Sequence, residues 1–331
     1  MNKITEVNSY QRASEVIEIV SPENPIAVNA DNFLSLIGDY HLNDSEPPLK
    51  CCCEKEKRRL CRHSHRNGYV VELKDGEKSL LGSTCVKDFD PDGDLRKSVS
   101  QYDNEKRYLE RVSYINQCFR DKDRISEKLR IELERLSDLN HFVAGFLKSM
   151  PAKVSRKLQG MSKKVSKDIT VDVRIVKEER DEKTGEVERD INIITHKVGE
   201  ISGLEIFQKE YRLSFYSSVK EKIKLIEDLE SVRYKEGARV VLRIYKELQE
   251  IEPLCERSKA YCSKRVFFEQ SSFKNFIFLS DHDEDRVKCY QMWYFDSFEK
   301  VISKSNAEKE IAKIDKDLLD QFEATNLIIA A

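Results

Sequence analysis

The stretch "LKCCCEKEKRRLCRHSH", residues 49–65, combines four cysteines and two histidines with a run of lysines and arginines. Further on, "LLGSTCVKDF" (80–89) contributes a fifth cysteine, Cys85. The chain has nine cysteines, an odd number, and five of them fall within residues 51–85. Clustered cysteines with histidines are typical of a metal site, whereas a disulfide framework spreads its cysteines through a secreted chain. We therefore expect a bound metal ion here.

Structural zinc binds four Cys or His side chains in a tetrahedron, so two turns of chain must each supply ligands. Adjacent cysteines point in different directions, so Cys51, Cys52 and Cys53 are not expected to ligate together. The preferred ligand set is Cys53, Cys61, His63 and Cys85, with Cys51 and His65 as alternates. Free thiols on a basic loop are the plain alternative, but they leave this small unit without a stabiliser.

Two short apolar runs follow the cluster and are separated by a turn. "GYVVEL" (68–73) and "KSLLGS" (78–83) flank Asp75-Gly76, a strong signal for a β-hairpin because glycine tolerates positive φ. Cys85 then begins a turn or helix, where the helix dipole would favour a thiolate. The sequence therefore predicts a compact unit of metal knuckle, hairpin and terminal cysteine.

The segment "CRHSHRNGYVVELKDGEKSLLGSTCVKDF" (61–89) resembles a small module of uncharacterised phage, plasmid and mobile-element proteins. That module has the form C-x2-C-(G)-H, a strand, a turn, a second strand and "VGSxC(L/V/I)KDF". Cys61 and His63 match its second cysteine and its histidine, and Cys85 matches its terminal cysteine. Its first cysteine would lie three residues before Cys61, where this chain has Arg58. The resemblance implies zinc binding and a phage, mobile-element or defence setting, but no particular activity.

Periodicity along the rest of the chain predicts an α+β fold. It consists of the small zinc-stabilised β-hairpin module, long helices, and two further β-hairpin regions packed with helices. "NFLSLIGDY" (32–40) is predicted as a short helix, 169–198 as one hairpin, and the aromatic runs around "DHDED" (281–285) as the other. The predicted domains are an N-terminal helical segment (1–47), the zinc module (48–95), a helical region (96–167) and an α+β domain (168–331).

Charge is local rather than global, since the formal net charge is −2. Basic residues beside a zinc knuckle are suited to phosphate binding, and residues 148–167 form a second stretch with seven Lys or Arg and no acid. DNA or RNA is thus the expected partner, with a protein partner or homo-oligomer as alternatives. The candidate nucleic-acid contacts are Lys55, Lys57, Arg58, Arg59, Arg62, Lys153, Arg156, Lys157, Lys163 and Lys164.

Signals for catalysis are weak, and an enzyme is the less favoured interpretation. No nucleotide-binding loop, nucleophile elbow or H-E-x-x-H motif is found. The acidic cluster 281–285 could hold Mg²⁺ in a nuclease, but a solvated hairpin loop is the favoured interpretation. The other alternative is an inhibitor or adaptor in phage–host conflict with purely structural zinc. Without an apolar signal core or bilayer-length segment, a cytoplasmic protein without membrane contact is expected.

Overall fold

A computed structural model describes residues 8–20, 25–55, 59–88, 94–164, 166–180, 187–233 and 236–329. The chain divides into two compact units. The first comprises Met1–Arg120 with Glu230–Lys246, and the second comprises Asp121–Leu229 with Glu247–Ala331. Elements of both classes occur, which confirms the predicted α+β fold.

The first unit is built on a four-stranded sheet with the order β1-β2-β7-β8. β1 (Asn8–Tyr10) runs parallel to β2 (Phe33–His41). β2 pairs antiparallel with β7 (Asn67–Leu73), which pairs antiparallel with β8 (Lys78–Gly82). The sheet therefore takes two strands from before residue 47 and two from after it.

The hairpin of β7 and β8 is the predicted one, and its turn contains Gly76 with φ of 87°. Val70, Val71, Leu73 and Leu81 are fully buried beneath it, together with Tyr40 of β2. Several short elements and one long helix complete the described part of this region. They are α1 (Ala13–Ile17), β3 (Leu49–Lys50), β4 (Glu54–Lys55), β5 (Arg59–Leu60), β6 (Ser64–His65), α2 (Cys85–Asp88) and the long α3 (Asp94–Arg120).

The predicted helix over "NFLSLIGDY" is wrong, because these residues form β2. Their apolar spacing fits both the period of a helix and the period of a strand. Pairing with β7 over most of the segment decides for the strand. Gly38 also favours the strand, since a Cβ there would lie 2.8 Å from the Tyr10 ring and 3.0 Å from the Asn8 carbonyl oxygen. A glycine thus permits the close approach of β1, and it weakens a helix.

The second unit is mainly helical and carries a three-stranded sheet with the order β10-β9-β11. β9 (Asp168–Arg180) and β10 (Val187–Glu200) form the long predicted hairpin, and β11 (Asn326–Ile328) pairs with the other edge of β9. Its helices are α4 (Lys122–Ser149), α5 (Ala152–Lys164), α6 (Lys209–Glu227), α8 (Ile251–Glu269), α9 (Asp283–Phe298) and α10 (Lys304–Gln321), while α7 (Ala238–Gln249) begins in the first unit. Short 3-10 helices cover Leu204–Phe207 and Phe273–Leu279. In the described ranges, no helix is both long and apolar enough to cross a membrane.

The hairpin predicted around "DHDED" is wrong, because α8, the 3-10 helix Phe273–Leu279 and α9 occupy this region. Its aromatic residues are strand formers by propensity, but here several of them, including Phe268, Phe276 and Phe278, are buried in a helical core. The Phe268 ring packs against those of Phe146 and Phe273, with centroids 5.0 and 5.2 Å apart. The acids are not a loop tip either, since Asp283, Glu284 and Asp285 form the first turn of α9, where the helix dipole favours negative charge.

Candidate metal centre and basic surfaces

Three cysteine sulfurs converge beside the sheet of the first unit. The Sγ atoms of Cys51, Cys61 and Cys85 all lie within 4.8 Å of one another, and those of Cys61 and Cys85 are 3.4 Å apart. Cys51 and Cys85 are buried and Cys61 is half-buried. Across the part of the chain that the structure describes, this is the one group of three or more Cys, His, Asp or Glu side chains close enough to hold a metal ion. We call it the cysteine triad.

Backbone pairing brings the triad together. The Cys51 amide donates to the His63 carbonyl oxygen at 3.0 Å, and the Arg62 amide donates back to the Cys51 carbonyl oxygen at 3.0 Å. The Cys61 amide donates to the Cys53 carbonyl oxygen at 2.8 Å. Arg62 adopts a φ of 52°, so the chain turns sharply just after Cys61. Cys85, the first residue of α2, approaches from the end of the β7–β8 hairpin.

The triad fits a thiophilic cation in both size and chemistry. Sulfurs bound to one tetrahedral zinc at about 2.3 Å lie roughly 3.8 Å apart. The distance between the Cys61 and Cys85 sulfurs is close to this value at 3.4 Å, and all three pairs lie within 4.8 Å. Two backbone amides also point at one of the sulfurs, because the Cys53 and Gly82 N–H groups each donate to Cys51 Sγ at 3.4 Å. The donor set therefore resembles three corners of a structural zinc site. The metal's identity does not follow from it, since thiolates also bind other soft ions.

The thiols differ in how readily they lose a proton. Hydrogen bonding by the Cys53 side chain lowers the pKa of Cys51 against the opposing effect of burial, and His65 and the Gly82 and Cys53 amides lower it further. Burial raises the pKa of Cys85 to about 12, with hydrogen bonds to the Cys61 and Cys51 sulfurs adding to the effect. In the metal-free cluster Cys85 thus keeps its proton at neutral pH, and a bound cation would have to displace it.

The other proposed ligands lie close to the triad without being part of it. Cys53 is fully buried, and its Sγ lies 3.5 Å from the Glu54 carbonyl oxygen. His63 is exposed and contributes its carbonyl oxygen to the backbone pairing. His65 is half-buried, and its ring is hydrogen-bonded to Cys51. The structure therefore groups Cys61 and Cys85 with Cys51, an alternate in the sequence analysis, rather than with Cys53.

His65 is held in place by two contacts that the sequence did not reveal. The Tyr40 hydroxyl lies 2.8 Å from His65 Nδ1, and the two rings stack with centroids 5.6 Å apart. The ring also fills the space over Gly82, where an added Cβ would lie 2.8 Å from His65 Cδ2. This contact depends on the register in which β2 pairs with β7. Sequence periodicity does not determine that register.

Basic residues flank the triad cysteines in the sequence, and four of them are exposed. Lys55 of β4 and Arg59 of β5 are exposed and face each other across the small hairpin. Arg62 and Lys50 are exposed next to the ligands. Lys57 and Arg58, also predicted to bind nucleic acid, lie outside the described residues.

The second predicted basic stretch forms α5 and lies in the other unit. Lys153, Arg156, Lys157 and Lys164 line one groove, whereas Lys163 is exposed and does not line it.

The acidic residues 281–285 do not converge as a metal site. Asp281 forms an ion pair with Lys153 at 3.0 Å, and Asp285 accepts a hydrogen bond from Ser280 Oγ at 2.8 Å. The Lys153 hydrogen bond lowers the pKa of Asp281. Asp281 and Asp285 thus make local contacts around the N-terminus of α9.

Comparison with family models, with curated proteins and with solved structures found no match to this chain.

Proposed function

We propose that this chain is a zinc-containing nucleic-acid-binding protein that contacts the phosphates of DNA or RNA through the basic residues around the cysteine triad. The convergence of Cys51, Cys61 and Cys85 is the observation that carries the proposal. The phage, mobile-element or defence setting is part of the proposal and rests on the resemblance of residues 61–89. A reducing cytoplasm is proposed because all nine cysteines are free thiols.

His65 is the side chain best placed to complete the set of four ligands. Its ring is hydrogen-bonded to Cys51, and the Tyr40 hydroxyl is 2.8 Å from its Nδ1. A metal-binding histidine usually uses one ring nitrogen for the metal and hydrogen-bonds through the other. With Nδ1 engaged by Tyr40, Nε2 would serve as the ligand. The metal would then fix the backbone on both sides of the basic hairpin β4–β5.

Metal content tests the first half of the proposal. Protein purified without added metal should contain one zinc ion per chain by elemental analysis. Single Cys51→Ala, Cys61→Ala and Cys85→Ala variants should lose it, because two remaining thiolates bind zinc far more weakly. Cys262→Ala is the matched control, since Cys262 is a half-buried thiol in the other unit. Metal-free wild-type protein with residues 49–88 still ordered would contradict the proposal.

A salt titration tests the second half. Replacing Lys55, Arg59 and Arg62 together by Ala should weaken binding to mixed-sequence DNA or RNA, and should lower the slope of log affinity against log salt by roughly 2–3. The control removes the same charge from exposed positions of α10, with Lys309, Lys313 and Lys316 changed to Ala. Equal affinity for all three proteins would exclude the loop as the contact. Absence of any binding at low salt would favour the alternative of an inhibitor or adaptor protein.

A further inference from the structure

A groove of about 560 Å³ runs along α5 in the second unit. Its other walls are the start of β9 and the end of the 3-10 helix Phe273–Leu279, continued by Ser280 and Asp281. The volume falls within the range of pockets that hold small organic ligands. Four cationic side chains line it against two carboxylates. The cations are Lys153, Arg156, Lys157 and Lys164, and the carboxylates are Asp168 and Asp281.

Helical spacing explains why the cations share one face. Positions 156, 157 and 164 lie three, four and eleven residues after position 153. Each of these spacings returns the side chain to the same side of a helix. The neighbouring face of α5 carries Val154, Leu158 and Met161, all buried in the core. Burial of that apolar face fixes the rotation of α5. The cationic face is therefore held towards the groove by packing and requires no ligand to orient it.

Both carboxylates of the groove already have cationic partners. Asp281 pairs with Lys153 at 3.0 Å, and Asp168 pairs at 2.5 Å with Lys197, which does not line the groove. Among the described residues, Arg156 and Lys164 form no ion pair with any carboxylate. The groove thus presents more positive charge than its own acids neutralise.

Small and hydroxyl-bearing residues complete the lining. Ser166, Thr170 and Ser280 lie along it, and Gly160 of α5 leaves open space, since an added Cβ would meet nothing within 4 Å. Glycine is less favourable than alanine inside a helix, and here it lets a ligand approach the helix closely. Cations with nearby hydroxyl groups are the recurrent environment of bound phosphate.

We infer that this groove is a phosphate-binding site for a ligand of nucleotide size, which is either a free nucleotide or one unit of a nucleic-acid strand. Arg156 and Lys164 would contact the phosphate oxygens. Asp281 would hold the Lys153 ammonium group in position beside them through the ion pair described above. The site lies in the second unit and uses no residue of the cysteine triad. It can therefore exist whether or not the triad binds metal.

Calorimetric titration of the full-length chain with three probes tests this inference. The probes are inorganic pyrophosphate, ATP and a short single-stranded oligonucleotide. An Arg156→Ala, Lys164→Ala double variant should bind the favoured probe at least about 10-fold more weakly, because each charged hydrogen bond contributes substantially. The charge-matched control is Lys309→Ala with Lys313→Ala, which removes two exposed cations of α10 outside the groove. Its affinity should stay within twofold of wild type.

The pattern of probes identifies the source of the phosphate. Saturable ATP binding that pyrophosphate displaces indicates a free nucleotide, and binding of the oligonucleotide alone indicates a strand. The variant with Lys55, Arg59 and Arg62 replaced by Ala should bind pyrophosphate and ATP as tightly as wild type, which separates this site from the basic loop. Failure of all three probes to saturate, or an equal loss in the control variant, would overturn the inference.

Discussion

Three consecutive cysteines show how a single step along the chain changes what a side chain contacts. Cys51 Sγ belongs to the triad, whereas Cys52 Sγ lies 3.7 Å from the Lys50 carbonyl oxygen. The next thiol, Cys53, interacts with the Glu54 carbonyl oxygen and with Cys51. Alternation along an extended backbone separates Cys52 from its neighbours. The hydrogen bonds that pair Cys51 with His63 then place Cys51 opposite Cys61 and Cys85.

Tyr40→Phe tests the contact that positions His65. The change removes the hydroxyl 2.8 Å from His65 Nδ1 and keeps the buried ring. Loss of such a supporting hydrogen bond typically weakens metal binding by about 10–100-fold, so we expect a decrease in zinc affinity of at least about 10-fold. Competition with a coloured chelator measures it.

Tyr69→Phe is the control for that experiment, because Tyr69 lies on β7 in the same sheet and packs edge-on against Tyr102. Its zinc affinity should match wild type. An unchanged affinity in Tyr40→Phe would show that His65 is not a ligand.

The sequence predicts a cysteine cluster that could hold a metal, with Cys61 and Cys85 in it, but it favours Cys53 where the structure places Cys51. Five cysteines within residues 51–85 and the Asp75-Gly76 turn are local signals, and both predict a knuckle beside a hairpin. The choice between Cys51 and Cys53 depends on hydrogen bonds across two small strand pairs, which are non-local. Tyr40 lies 25 residues before His65, so its contact could be found only with the strand register in hand.

At the scale of elements, the end of the chain is held together by one buried cation. Arg286 of α9 is 7% exposed, and its Nε donates to the Ile277 carbonyl oxygen at 3.0 Å. Its Nη2 donates to Asp315 Oδ1 of α10 at 2.6 Å. One side chain thus links α9, α10 and the 3-10 helix Phe273–Leu279. Without these two bonds the buried guanidinium of Arg286 would lack its partners.

Arg286→Leu should lower the free energy of unfolding of the second unit by about 2–3 kcal/mol. The substitution leaves the Asp315 carboxylate and the Ile277 carbonyl oxygen without this donor, and such losses are costly where water is excluded. Urea unfolding followed by Trp293 fluorescence measures the change.

Lys288→Leu is the matched control, an exposed cation on the same helix. It should shift stability by less than about 0.5 kcal/mol. Equal stabilities for the two variants would show that the Arg286 contacts contribute nothing.

Local and non-local information also explain which elements the sequence predicts. The β9–β10 hairpin has a clear period of its own, and it lies where the pattern places it. β2 and α9 have ambiguous patterns, and their partners decide their structure. For β2 the partner is β7, and for the region of α8 and α9 it is the aromatic core around Phe146 and Phe268. An isolated sequence window contains neither partner.

For the whole molecule, the division into two units predicts that metal loss has a local effect. The triad lies in the first unit, and the single tryptophan, Trp293, lies in the second. Chelation of the zinc should expose the thiols of the first unit to a thiol reagent and reduce its secondary structure, because so small a sheet depends on the metal. Trp293 emission should remain unchanged.

The experiment combines thiol labelling, circular dichroism and fluorescence excited selectively at tryptophan, before and after chelation. Cys51→Ala without chelator should reproduce the chelated state, which serves as a control for direct effects of the chelator. A change of Trp293 emission in parallel with thiol exposure would show that the two units unfold together.

The 3.4 Å between the Cys61 and Cys85 sulfurs has a consequence for handling and for stress in the cell. In the metal-free triad these atoms need to approach by only about 1.4 Å to bond at about 2.05 Å, with two protons and two electrons passing to an oxidant such as peroxide. The bonded pair could no longer accept zinc until a reductant restored both thiols. Peroxide should therefore convert reversible metal release into a persistent one.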